Sequence, residues 1–396
     1  MKMALVLTTI HDPILLDEYA ANLREHGHLE QTEVYVIPDR KTPPEAYRRC
    51  AALERQGLKV VCPDLEMQET FLDRVGFTSH LIPYNSDNRR NVGYLMALES
   101  GADFVISIDD DNYCRSDKDF FREHAIVCDD NRQVIRVDTE TGWFNICSMM
   151  TVEPAVTTYA RGFPYYARHK TERPKRSSDT ADIHINAGLW LLDPDVDGIT
   201  WLVNPAHTVA FDGQSLVLGD KAWSPVNTQN TALRREAIAA YYFVRMNYPL
   251  AGIPIDRYGD IFSGYFVQVC ARHLGGCIRV GSPVADHRRN SHNYMNDAAN
   301  ELACILTLED LLPWLTEDLV LSGSTYCETY ECLSHCMEDA VEHFNGRIWT
   351  DATRGYFHQM AYCMRQWTSA CRSILGQTSS RVAHPRMQAV AGRSLQ

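Results

Sequence analysis

Apolar residues along this chain fall into short β-branched runs separated by longer stretches with helical spacing. The runs at residues 4–9, 33–37, 58–62, 104–108, 183–192 and 279–285 predict strands. Between them, residues 13–25 predict a helix with Leu15, Leu16, Tyr19 and Leu23 on one side, and residues 89–102 one with a basic start and an apolar body. Further helices are expected at 234–244 and 261–273, and from Leu306 onward. Strands two and three stop at Pro38-Asp39-Arg40 and Pro63-Asp64. Strand, polar loop, then helix, repeated, predicts a mixed, mostly parallel sheet with ligands at the carboxyl ends of its strands. The stretch 154–180 breaks this rhythm. Its first half is aromatic and basic (Arg161 to Arg168), and its polar half, 169–176, reads most simply as a solvated, mobile loop, with a lid over substrate as the sharper alternative. The organisation expected is an α/β catalytic domain over 1–305 and a helical extension over 306–376. The tail, 377–396, lacks an apolar face and is expected to be disordered.

Composition narrows the partners. The 396 residues carry 38 Lys and Arg against 51 Asp and Glu, a formal net charge of -13, which argues against a nucleic-acid partner. No apolar run is long enough for a membrane span, and residues 1–9 read as a first strand rather than a leader. Thirteen Cys without Cys-x-x-Cys pairs fit a reduced, cytoplasmic protein. Cys327, Cys332, Cys336 and His335 lie close in sequence, so zinc is weighed there against buried thiols, which the helical spacing favours. No Gly-x-Gly-x-x-Gly and no Walker lysine follows the first strand, which disfavours a dinucleotide or P-loop site.

The densest chemistry is Asp109-Asp110-Asp111, directly after Val105, Ile106 and Ile108. Bare charge is too costly to bury mid-strand, so the acids belong at the strand's end, where hard oxygen ligands hold Mg2+ or Mn2+ against a phosphate. Asp109 and Asp111, two apart, should face one side, one for ribose hydroxyls and one for the metal; the alternative is a solvated acidic turn. Arg161 and Arg168 suit a two-point grip on a diphosphate leaving group, against surface arginines bordering a loop. Asp260 is either a helix N-cap or a carboxylate facing the sugar. Asp195 and Asp197 read as turn residues. Trp190 and Tyr165 are equally at home under a sugar and in the core.

A basic helix entry, a strand and an Asp cluster in this order are the layout of a GT-A nucleotide-sugar site. The blocks Thr8-Thr9-Ile10, Arg90-Asn91-Val92-Gly93, Ile108 to Asp111 and Arg161-Gly-Phe-Pro with Arg168 stand in order along the chain. They are followed by Gly188 to Asp197, Pro225 with Asn230, Arg257-Tyr-Gly-Asp260 with Gly264, and His287 with Asn296. In these blocks the chain resembles the reversibly glycosylated polypeptide family, which includes UDP-arabinopyranose mutases, from the first strand to about residue 330. The resemblance implies a GT-A-like (Rossmann-like) nucleotide-sugar-binding fold and a divalent metal, Mn2+ or Mg2+. It also implies non-redox interconversion of pyranose and furanose forms of a nucleotide sugar, UDP-linked or, as in a similar bacterial branch, GDP-linked. It makes His287 a metal ligand beside Asp109 and Asp111. It places Thr9, Asp39, Arg90, Asp109, Asp110, Gly188, Trp190 and Asn230 around the substrate, with Arg161, Arg168 and Asp260 at the chemistry. Departures are Asn112 where the family has Cys, Gly259 where it has an acid, and a longer stretch over 169–183. A covalent sugar adduct on Arg161 is the alternative to a clamp, although a guanidinium is a poor nucleophile. A glycosyltransferase and a non-catalytic nucleotide-sugar binder are the competing functions, and a second copy of the chain is the other partner the reading admits.

Overall fold

The computed structural model describes residues 1–250 and 252–376; the tail expected to be disordered, 377–396, lies outside them. The α/β architecture is built on one 13-stranded mixed sheet. Ten of the strands follow the order Lys59–Val61, Thr32–Pro38, Met3–Thr9, Phe104–Ile108, Asn230–Arg234, Ile183–Leu192, Cys277–His287, Leu216–Leu218, Arg132–Asp138, Lys175–Ala181, and Asn112–Tyr113, Met150–Glu153 and His207–Phe211 pair off this path. The first four strands are parallel. Asn230–Arg234 then runs antiparallel to both Phe104–Ile108 and Ile183–Leu192, and Cys277–His287 is parallel to the latter. Two reversals restore the direction. The carboxyl ends of Met3–Thr9, Thr32–Pro38, Phe104–Ile108, Ile183–Leu192 and Cys277–His287 therefore emerge at one edge of the sheet. That edge collects Thr9, Asp39, the Asp triplet, Asp193 and His287.

Strand alternation divides the core into two layers. Met3, Leu5 and Leu7 pack on one face with Leu16, Tyr19 and Leu23 of the helix Leu16–Glu25. Ala4 and Val6 pack on the other with Val92, Leu95 and Leu98 of the helix Arg90–Glu99. Gly93 lets that helix lie close to the sheet, because a Cβ there would stand 2.6 Å from Val6 Cγ1 and 2.9 Å from Ile37 Cγ1. The helix Gly259–His273 is buried over most of its length, and the long helices Tyr294–Pro313, Tyr326–Val341 and Asp351–Leu375 close the same layer. The expected division at residue 305 falls inside the helix Tyr294–Pro313, whose Cys304 and Leu308 share this core.

Two segments differ from expectation. The polar stretch expected as a solvated loop is one only over 169–174; Lys175–Ala181 is an exposed edge strand, antiparallel to Arg132–Asp138. Its charges suit an edge, where they discourage further strand pairing. Residues 234–244 form a 3₁₀ segment, Arg235–Ala240, and then a buried irregular run instead of a helix. Side chains satisfy that run's backbone: Phe243 N donates to Asn91 Oδ1 at 2.8 Å, and Asn91 Nδ2 donates to Phe243 O at 2.9 Å.

Candidate functional site

The strand Phe104–Ile108 ends before the acids, and Asn112 N bonds back to Asp109 O, so the triplet is a turn. The three carboxylates consequently take three partners instead of alternating across a strand. Asp109 Oδ1 lies 2.6 Å from Arg90 Nη2, a contact between a buried guanidinium and a half-buried carboxylate. Burial pushes the Asp109 carboxyl up to about 6 against the pull of Arg90. Asp110 Oδ2 accepts from Thr9 Oγ1 at 2.5 Å, and burial raises its pKa. Asp111 Oδ2 stands 3.4 Å from His287 Nε2. Burial opposes ionisation of both groups, but each favours the charged form of the other: Asp111 is held below its usual range and His287 above.

The expected ligand trio of Asp109, Asp111 and His287 is thus divided: Asp109 is taken by Arg90 as its counter-ion. Among the described residues no three His, Cys, Asp or Glu side chains gather as a ligand set, and this applies equally to Cys327, Cys332, Cys336 and His335. The remaining pair fits a cation. His287 Nδ1 lies 2.6 Å from Asp193 O, and a carbonyl only accepts, so Nδ1 carries the hydrogen. In the neutral ring Nε2 is then a lone pair, aimed at a carboxylate oxygen. Two acceptors face to face call for a proton or a metal ion between them, and a backbone carbonyl on the far nitrogen is the usual orienting contact of a metal-bound imidazole.

Arg161 is not an open clamp. Its Nε and Nη2 bond Asp195 at 2.9 and 3.3 Å, and its Nη1 and Nη2 bond Asp260 at 3.0 and 2.5 Å. The remaining N–H of Nη1 reaches Arg257 O. All five donors are committed, which leaves none for a diphosphate. Burial opposes the charge of Arg161, yet the two carboxylates hold its pKa well above normal, and the guanidinium holds Asp195 below the usual carboxylate range. Asp260 belongs to this cluster and is not an N-cap: Tyr258 occupies that position, with no side-chain cap bond. Arg168 is engaged as well, with Nη2 donating to Asp197 Oδ2 at 2.6 Å and its guanidinium 3.7 Å from the Tyr165 ring centroid. Asp197 caps the helix Gly198–Val203 through Thr200 N, the turn role expected of it, whereas Asp195 is an ion-pair partner.

Three expected substrate residues are structural. Asn230 Oδ1 lies 2.9 Å from His124 Nε2, and its Nδ2 donates to Pro283 O at 2.7 Å, which locks the amide inside the sheet. Gly188 makes room for that amide, since a Cβ would stand 2.2 Å from Asn230 Nδ2. Trp190 is core, 3% exposed. Thr9 and Asp39 do stand at the carboxyl edge; Asp39 accepts from Arg40 N at 2.6 Å and Ser86 N at 3.1 Å, which shapes the loop after the second strand.

The two charged clusters meet at residues 193–195, where Asp193 O contacts His287 Nδ1 at 2.6 Å and Asp195 pairs with Arg161 at 2.9 Å. Sequence reasoning missed Arg289, Asp297 and Glu301, and left Arg257 without a role. Arg257 has a left-handed backbone (φ 62°), which aims its carbonyl at Arg161 while its side chain meets Asp297 at 3.3 Å and Glu301 at 3.2 Å. The signal for Arg289 was a basic pair directly after His287 at a strand end.

A family model described as "Reversibly glycosylated polypeptide" matches residues 64–375. The chain is 24% identical to a probable UDP-arabinopyranose mutase 1 of Pisum sativum over 319 residues, 80% of each chain. It is 25% identical to a UDP-arabinopyranose mutase 1 of Arabidopsis thaliana over 299 residues, 75% of each. Among solved structures it is similar to glucosyl-3-phosphoglycerate synthase from Mycobacterium tuberculosis in complex with Mn2+ and UDP-glucose. That match has 13% identity and a TM-score of 0.36 and covers 78% of each chain.

Proposed function

Because this chain belongs to the reversibly glycosylated polypeptide family, we propose that it interconverts the pyranose and furanose rings of a nucleotide-linked sugar. The observation that carries this reading is the match to UDP-arabinopyranose mutases across four-fifths of both chains. In support, the carboxyl edge offers a cation-ready pair beside a buried acidic cluster.

In this reading the nucleotide lies along the ends of the first two strands, near Thr9, Asp39 and Asp110. Asp111 and His287 would hold a divalent ion, Mn2+ or Mg2+, which supplies Lewis acidity at the departing phosphate. The anomeric C–O bond breaks with its electron pair leaving on the phosphate oxygen, and C1 becomes an oxocarbenium ion. Asp195 and Asp260 share the single guanidinium of Arg161, so the cluster is net negative by one charge. Fixed in a site largely shielded from water, that charge favours the cationic sugar. The C4 hydroxyl oxygen then bonds to C1, the C1–O5 bond breaks, and the proton lost from O4 ends on O5. Asp109, whose carboxyl burial pushes up to about 6, is the group suited to carry that proton. The phosphate oxygen returns its pair to C1 of the new ring. Arg161 acts here through the two carboxylates, and Arg168 by anchoring the Tyr165–Arg168 turn to Asp197.

Incubation with UDP-, GDP- and dTDP-sugars and Mn2+ in the absence of any acceptor tests this reading. A mutase converts one of them to its ring isomer, a glycosyltransferase requires an acceptor, and a binder leaves all unchanged.

A further inference from the structure

We infer that Arg289 is the guanidinium that grips the diphosphate of the substrate, held in waiting by Asp297. The inference rests on the nucleotide-sugar reading above and assigns within it the role that Arg161, with every donor committed, does not fill.

Arg289 is fixed to the same edge as the cation-ready pair. It follows His287 by two residues, in the irregular segment 288–293 between the strand Cys277–His287 and the helix Tyr294–Pro313. Its backbone N–H donates to Asp193 Oδ2 at 3.1 Å, on the residue whose carbonyl orients His287. One short anchor therefore positions both groups. The side chain is 8% exposed, and its charge bears on Asp111 and Asp195.

Its donors are not satisfied. Nη1 is shielded from water and has no hydrogen-bond partner among the described residues. Nη2 approaches Asp297 Oδ2 only to 3.7 Å, an attraction beyond hydrogen-bond length. Asp297 is also shared: His292 Nδ1 lies 3.0 Å from Oδ2 and Arg257 Nη1 3.3 Å from Oδ1. A buried charged N–H without an acceptor is costly, and the carboxylate nearest it is already shared with Arg257 and the His292 ring. An anion with several oxygens relieves that deficit. A phosphate does so with two oxygens at the spacing of a planar guanidinium fork, and in the reading above the departing phosphate of the diphosphate lies at this edge. With its backbone anchored to Asp193, the side chain alone would turn its fork from Asp297 to a phosphate next to Asp111 and His287.

Calorimetric titration of UDP, UMP, GDP and GMP, with Mn2+ present, into the wild-type protein, Arg289→Gln and Arg289→Lys tests the inference. Arg289→Gln should weaken the nucleoside diphosphate that the wild type binds by about 10–100-fold, as expected for loss of a charged hydrogen bond. The matching monophosphate should change less than twofold. Arg289→Lys keeps the charge and loses the fork, so it should recover only part of the affinity; it carries the test alone if Arg289→Gln does not fold. Asp297→Asn should bind the diphosphate at least as well as wild type, since it releases the guanidinium. Unchanged diphosphate affinity in both Arg289 variants, beside a wild type that binds, would overturn the role of Arg289 alone. A wild type that binds neither UDP nor GDP would overturn the nucleotide-sugar reading, and this inference with it.

Discussion

Asp111 and His287 face each other across 3.4 Å, from the turn after one strand and the end of another, with the far nitrogen of the imidazole committed to Asp193 O. A carboxylate and an imidazole lone pair so arranged are two-thirds of a typical protein contribution to a divalent site.

Binding of Mn2+ or Mg2+ should therefore stabilise the fold. At a free ion concentration about a hundredfold above Kd the gain is ~2.7 kcal/mol, readable as a rise of several degrees in melting temperature. Chelation should reverse the rise. Asp111→Asn and His287→Gln should abolish it, and an unaltered rise in both variants would place the ion elsewhere.

Arg161 is predicted to matter for stability as much as for turnover. Its removal leaves Asp195 and Asp260 as uncompensated buried carboxylates, so Arg161→Met should cost about 3–5 kcal/mol in denaturant unfolding. A loss below 1 kcal/mol would show that the cluster is loosely held and open to ligand.

His124 sets an acid limb. Burial pushes its pKa down to about 3, and its neighbours suit a neutral ring, with Nε2 donating to Asn230 Oδ1 and Nδ1 accepting from Asn186 Nδ2. The unfolded chain binds this proton near pH 6.5 and the folded one only near 3. Stability from this residue is therefore complete above the unfolded value and falls as pH drops towards 3, by roughly 5 kcal/mol in all. His124→Gln should flatten unfolding free energy against pH between these limits; an unchanged slope would contradict the neutral core histidine.

Asn230→Ala should destabilise by roughly 1–3 kcal/mol, since it leaves the His124 N–H and Pro283 O unpaired. Nucleotide affinity should not change. A selective loss of affinity with full stability would return Asn230 to the substrate.

The strands whose carboxyl ends form the common edge were legible in the sequence as β-branched runs, several ending in Pro-Asp or the Asp triplet, whereas Arg132–Asp138, Leu216–Leu218 and Asn230–Arg234 were not. Asp39 and the Asp triplet were read directly as strand ends, whereas Thr9 and His287 were named through the family resemblance. What failed was partnership across long separations. Arg161 finds Asp195 34 positions away and Asp260 99 away, Asn230 finds His124 at 106, and no local pattern encodes such pairings. The segment 234–244 was illegible for another reason. Residues 237–244 are all apolar, so no period separates a helix from a buried irregular run whose hydrogen bonds are supplied by Asn88 and Asn91.

The most direct test follows ring form and bond cleavage together, by 1H and 31P NMR, in a nucleotide sugar carrying 18O in the bridge between the anomeric carbon and the β-phosphorus. With UDP-arabinopyranose as the first substrate, Mn2+ pre-equilibrated and then chelated before recording, two linked changes are expected. The furanose isomer should appear with no acceptor present, and the label should scramble from the bridge into the non-bridging β-phosphate oxygens. Unchanged ring form with every UDP-, GDP- and dTDP-sugar offered, or ring contraction with the label still entirely in the bridge, would contradict the proposed isomerisation.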